Sequence, residues 1–171
     1  MRKNVVSLSF SRFLSAHMIG YYGENGAVFF ETSVNNRDFE YSDREVKFFA
    51  FGRDSADRFA PISSFTISPC LMITVDDQAY LGVLKNLDTE THGSESPFTL
   101  LKADHVTAPL YEEMPVVFEC RKTRIEKMNI LGAYVYADIE NISVSPTIMD
   151  DDGTVNLHKM LSQIHFVKVK N

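Results

Sequence analysis

Two segments of the carboxy-terminal half restrict the fold more than any other part of the chain. They are VVFECRKTRI at 116–125 and ILGAYVYADIENISVS at 130–145. They lie close together in sequence and can pair as a long antiparallel hairpin. Pro115 suits the first residue of such a strand, because proline has no backbone N–H to give to a ladder. Alternation then puts Val117, Glu119 and Arg121 on one face and Val116, Phe118, Cys120 and Lys122 on the other. In the second segment the apolar positions Ile139, Ile142 and Val144 break strict alternation. One extra residue near Glu140 and Asn141, a β-bulge, restores the phase.

The remaining chain is also mostly strand-like. AHMIGYY and AVFFETSV flank GENG, and Asn25-Gly26 is a strong hairpin signal. EVKFFAFG reads as a buried strand. In RDSADRFAPISS, Ser55 is placed to cap a short helix that must end before Pro61. FTIS and CLMITV read as strands separated by Pro69. DDDG at 150–153 reads as a turn, and TVNLHKMLSQI as the start of a helix. Many strands with few short helices point to a barrel or a sandwich.

With 171 residues and 44% hydrophobic content, the chain is expected to form one domain, 1–171, with a real core and an irregular arm at 1–15. The formal net charge of −6 argues against a nucleic-acid binder, which needs clustered Lys and Arg. The short run CRKTR at 120–124 reads as a solvated strand face. Arg12 interrupts the apolar part of the amino terminus, which makes a poor signal peptide and is too short to span a membrane. A cytoplasmic protein is expected, with no membrane partner. Cys70 and Cys120 have no CxxC or metal-ligand spacing and read as reduced thiols, a disulfide between them being the alternative.

Motifs for chemistry are missing. DDDG lacks the alternating oxygen ligands and distal Glu of a calcium loop. No two of the five histidines are spaced as a helical metal pair, and no metal site is expected. GxSxG, P-loop and GxGxxG sequences are absent. No catalytic side chain is assigned on these grounds.

One longer pattern remains. VTAPLYEEMPVVFEC, followed by the acidic DDDGTVNLHKM, resembles the flavin reductase-like family of the FMN-binding split barrel, as a divergent member. In that family an APL-acidic-proline lead-in enters a strand ending in Glu-Cys, and a D-x-x-G segment follows the next strand. YGENGAV, FFAFGRDSADRF, SSFTIS and AYLG resemble its earlier segments in order, so the similarity runs from about residue 16 to about 160.

The resemblance implies a mainly β protein, an antiparallel split β-barrel of about six strands with a few short helices. It implies bound FMN, NADH or NADPH as electron donor, and a homodimer, which thirteen phenylalanines and seven tyrosines also favour. It places Thr32, Ser33 and Asn35 in a flavin-contacting run. It places Gly52, Arg53 and Ser55 at the FMN phosphate, and Tyr134 on the nicotinamide side. There are departures. FFETSVN replaces a small-polar run, Asp54 puts a negative charge beside the phosphate position, and the chain ends at Asn171, where relatives often add another strand. Two functions follow: an FMN-dependent NAD(P)H:flavin oxidoreductase, or a non-enzymatic split-barrel protein with a degenerate flavin or small-ligand site. Each proposed residue also has a plain role. Thr32 and Ser33 can be edge-strand residues, Arg53 a surface charge, Ser55 a helix cap and Tyr134 a packing residue.

Overall fold

The computed structural model of the chain describes residues 2–5, 16–32, 39–41, 44–70, 72–84, 98–156, 158–159, 162 and 164–168. The expected hairpin is its centre. β11 (Val116–Met128) pairs antiparallel with β12 (Gly132–Val144) over their full lengths. The register skips Glu140 opposite Glu119 and Cys120, so the bulge falls where the apolar spacing puts it. A second irregularity skips Thr123, between Lys122 and Arg124.

Other strands build outward from this ribbon. β6 (Ser64–Cys70) pairs with β11, β2 (Ala16–Gly23) with β6, and β3 (Gly26–Thr32) with β2. On the other side, β5 (Glu45–Phe51) and β1 (Lys3–Val5) share the free edge of β12, and β4 (Phe39–Tyr41) lies beyond β5. The result is one antiparallel sheet of eight strands, two more than the six expected. Part of the arm at 1–15 is therefore regular, since residues 3–5 form β1. A second sheet joins β7 (Met72–Val75), β8 (Gln78–Leu84) and β13 (Ile164–Lys168), and a third joins β9 (Leu100–Lys102) to β10 (Pro109–Tyr111). β13 corrects the expectation that the chain stops short of a further strand.

Several local readings shift. The first hairpin is present, but its turn residues are Glu24 and Asn25, with Gly26 already paired to Gly23. Pro69 does not separate two strands, because β6 runs through it to Cys70. β11 pairs with β6 only as far as Ile67, so Pro69 stands beyond that ladder, where its missing N–H is tolerated. The short helix α1 is Ser55–Phe59 and ends before Pro61, but its N-cap residue is Asp54, one position before Ser55. Thr154 and Val155 precede the later helical turn. Asn156 Oδ1 accepts from His158 N at 3.0 Å, and His158 and Lys159 have helical backbone.

The core lies between α1 and the inner face of the large sheet. Phe48, Phe59 and Phe65 meet edge to face, with ring centroids 5.7 to 6.3 Å apart. Ile67, Phe118, Val135 and Ile142 complete the same cluster. A smaller cluster on the opposite face packs Met18, Leu110, Met114 and Val117, flanked by the stacked rings of Phe29, Tyr111 and Phe98.

Buried polar groups close one end of the hairpin. Arg2 uses all its donors: Nε to Ser143 Oγ, Nη1 to the carbonyls of Glu112 and Met114, and Nη2 to those of Pro115 and Ser143. Burial lowers its pKa to about 10, partly opposed by Glu112, Glu119 and Glu113, so it is charged at neutral pH. Glu119, 1% exposed, accepts from His105 N and from Asn141 Nδ2, and His105 Nδ1 lies 3.4 Å from it. Of the basic run at 120–124, Arg121 and Arg124 are exposed as expected. Lys122 instead turns to the carbonyls of Phe59 and Ala60, at 2.9 and 2.6 Å.

At the other end, Gly132 begins β12 with φ of +151°. A Cβ there would lie 2.1 Å from the carbonyl oxygen of Ala50. Gly132→Ala is therefore expected to destabilise the fold by about 3 kcal/mol or more, through both backbone strain and the clash with β5. Gly153→Ala, at φ +86° with open space around it, should cost only about 1 kcal/mol. Urea unfolding of the two variants measures the difference, and equal losses would mean that the hairpin end is not pressed against β5.

Candidate functional site

The described residues bring together part of the expected site. β5 ends at Phe51 opposite Gly132, and the next residue, Gly52, takes φ of +111°. A left-handed residue is needed there to turn the chain out of the sheet and into α1. Gly52 N donates to Leu131 O at 2.9 Å, and Gly52 O accepts from Ser55 N at 3.1 Å. Arg53 is exposed at the top of this turn and has no carboxylate partner among the described residues. Asp54 is exposed beside it.

Ser55 is 6% exposed, so it faces inward. Its hydroxyl lies 3.7 Å from where a Gly52 Cβ would stand. Ser55 thus holds the turn from below, while Arg53 points to solvent. The expected phosphate cradle rested partly on a helix amino terminus. α1 has only five residues, with acidic groups at Asp54 and Asp57, so Gly52 and Arg53 are the useful features here.

Tyr134 lies close to this turn, two residues into β12 and directly opposite Phe49. Their rings meet edge to face at 5.0 Å, and Lys47 Nζ sits 4.5 Å above the Tyr134 ring. The residue is half-buried on the outer face of the sheet and packs as well as it could bind. Thr32 is the last residue of β3, paired with His17. Four strands separate β3 from β5 in the hydrogen-bonded order, and no described contact joins Thr32 to Gly52. Ser33 and Asn35 lie outside the described residues.

Sequence reading missed the hairpin tip. Ile130 and Leu131 look like the start of the strand ILGAYV, yet they sit in the loop between β11 and β12, 71% and 67% exposed. Asn129 at φ +51° and the bond from Leu131 N to Met128 O close that loop. The apolar tip stands beside Gly52 because Leu131 O receives the Gly52 N–H.

Cys120 is the one thiol whose surroundings are described. It is unpaired, so no disulfide joins it to Cys70. It is fully buried in the large core, and burial, reinforced by Glu119 and Glu140, pushes its pKa well above the ordinary thiol value. A thiol of this kind is not a nucleophile. In a Cys70→Ser background, Cys120 is expected to resist a thiol reagent at pH 8 and to react at the rate of unfolding. Rapid labelling of the native protein would contradict its place in the core.

No family model matches the chain, and no curated protein matches it in sequence. Solved structures do match. Flavoredoxin of Desulfovibrio vulgaris (Miyazaki F) covers 100% of this chain and 94% of its own length, at 14% identity and a TM-score of 0.58. A flavin reductase-like protein with a split barrel domain from Shewanella frigidimarina covers 92% and 82%, at 13% identity and 0.56. The NADH:FAD oxidoreductase of Streptomyces globisporus C-1027, solved with NAD and FAD fragments, covers 78% and 76%, at 12% identity and 0.53. At such identities the likeness is one of fold. The chain has the antiparallel split-barrel fold found in flavin reductases and flavoredoxins. Among the described residues no helix is long and apolar enough to cross a membrane.

Proposed function

We propose that the protein binds FMN and works as a flavin-dependent oxidoreductase, with NADH or NADPH as electron donor. The observation that carries this reading is the Gly52–Arg53 turn. It offers an exposed guanidinium with no carboxylate partner among the described residues, next to an open backbone, at one end of a split barrel. The split-barrel structures it resembles are named as flavin reductases and flavoredoxins, which supports the same reading.

The residues fit a phosphate in three respects. Gly52 has no side chain to keep the ligand away. Arg53 can give paired hydrogen bonds to phosphate oxygens. Ser55 fixes the turn that carries both. FMN, when bound, supplies the ring that accepts hydride, so no side-chain acid or base is required. Tyr134 is assigned to the nicotinamide side, and Thr32, Ser33 and Asn35 to the flavin ring. A homodimer is proposed as well, as the arrangement that joins the β3 end to the Gly52 turn across two copies. Asp54 favours a second reading, a split-barrel protein that binds a flavin weakly and does not turn over.

Arg53→Ala is expected to weaken FMN binding about ten- to a hundredfold, the loss of a charged contact of about 1.5–3 kcal/mol. Riboflavin, which lacks the phosphate, should be affected much less. Asp54→Asn should tighten FMN modestly by removing a repelling charge. Fluorescence titration of both flavins measures these effects. Equal losses for FMN and riboflavin in Arg53→Ala would move the phosphate elsewhere. A wild-type protein that takes up no flavin would remove the proposal.

A further inference from the structure

We infer that the tip of the β11–β12 hairpin is the apolar wall of this site, receiving the ring system of the ligand whose phosphate Arg53 holds. The inference rests on the reading of Gly52 and Arg53 given above and adds a second set of residues to it. Turns joining two strands are ordinarily built from Gly, Asn, Asp and Ser. This one carries Ile130 and Leu131, which are 71% and 67% exposed, directly after Met128, the last residue of β11, which is 37% exposed. Large apolar side chains exposed together at one hairpin end form a surface that calls for cover.

The tip is also fixed in place. Leu131 O is bonded to Gly52 N, and the backbone of Gly132 is pressed against the carbonyl of Ala50. Leu131 and Gly52 therefore stand on directly neighbouring backbones, about 5 Å apart as where two strands bond, and Ile130 and Arg53 are their neighbours in sequence. The exposed charged residues flanking these positions in sequence are Arg53 and Lys127, with Asp54 and Glu126 of the opposite sign. Leu131 is bonded to Gly52, the neighbour of Arg53, and an apolar surface beside a guanidinium suits a planar apolar ring that bears a phosphate. A neutral apolar ligand would leave that cation unused, and a free phosphate would leave the apolar side chains uncovered. The chemistry of FMN meets both demands.

The experiment titrates FMN and riboflavin against the full chain, comparing wild type, Arg53→Ala and the double variant Ile130→Ser/Leu131→Ser. The double variant should lose affinity for both flavins by the same factor, about tenfold or more, because both carry the ring that the tip covers. Arg53→Ala should lose affinity for FMN alone. Wild-type riboflavin affinity in the double variant would overturn the inference and leave the phosphate reading intact. Absence of flavin binding by the wild type would overturn both. A double variant that turns from dimer to monomer in sedimentation, with flavin affinity unchanged, would assign the tip to a contact between copies and also overturn it. Both positions are exposed, so the fold should hold. If thermal unfolding shows that it does not, Leu131→Ser alone gives the same reading at about half the change in binding free energy.

Discussion

The register of the β11–β12 ladder is the constraint on which the rest of the structure depends. A slip of one residue would send every side chain of a strand to the wrong face. This ladder does not hold a constant phase. In β12 the inward residues are Val135 and Ala137 near the tip, but Ile142 and Val144 at the other end. The parity changes between them, and the bulge at Glu140 makes the change possible. β11 shows the same device. Val116, Phe118 and Cys120 face the core, then Ile125 does, and Thr123 is the skipped residue between them. One bulge on each strand lets the ribbon bend around the core and keep an apolar inner face throughout.

How far these features can be read from the sequence depends on whether apolar residues mark the phase. Ile139, Ile142 and Val144 mark it, so the Glu140 bulge is legible. The Thr123 bulge lies in CRKTR, where polar side chains carry no phase signal. The β7–β8 turn uses Asp76 and Asp77, both left-handed at φ +49° and +63°, in place of the usual Asn-Gly pair. Aspartate tolerates that conformation, but two in succession do not advertise it. The position of Arg53 in the turn after β5 is legible from the order of segments. Ser55 is legible as a residue of the turn, and only its buried environment shows that it faces inward. Ile130 and Leu131 could not be found from sequence, because apolar residues beside a strand read as strand. Their exposure follows from Asn129 and from the contact of Leu131 O with a residue far away in sequence.

The two ends of the hairpin are built differently. At one end Arg2, Glu119, Asn141 and Ser143 form a buried polar framework. Leaving any of its donors or acceptors unpaired would cost about 1–3 kcal/mol each, so this end tolerates little change. Among the described residues Arg2 meets no carboxylate directly. Its bonds go to four backbone carbonyls and one hydroxyl, and they tie β1, the 112–115 turn and β12 together. At the other end the tip is exposed, and one backbone bond joins it to the turn after β5. A ribbon anchored firmly at one end can present residues at the other without losing its register.

This asymmetry bears on the proposed chemistry. A reaction carried by a bound flavin asks the protein for position and electrostatics rather than for a tuned acid or base. Glu113 and Glu119 are both 1% exposed, and Glu119 is spent on holding His105 and Asn141 at the anchored end. Glu119 belongs to the scaffold. The Gly52 turn supplies instead a cation, an open backbone and a neighbouring apolar surface. Asp54 and Asp57 are the groups there that work against an anion. Both are exposed, where water and salt screen them. The paired hydrogen bonds available from Arg53 depend on direct contact and are screened less, and the proposed phosphate site rests on that difference.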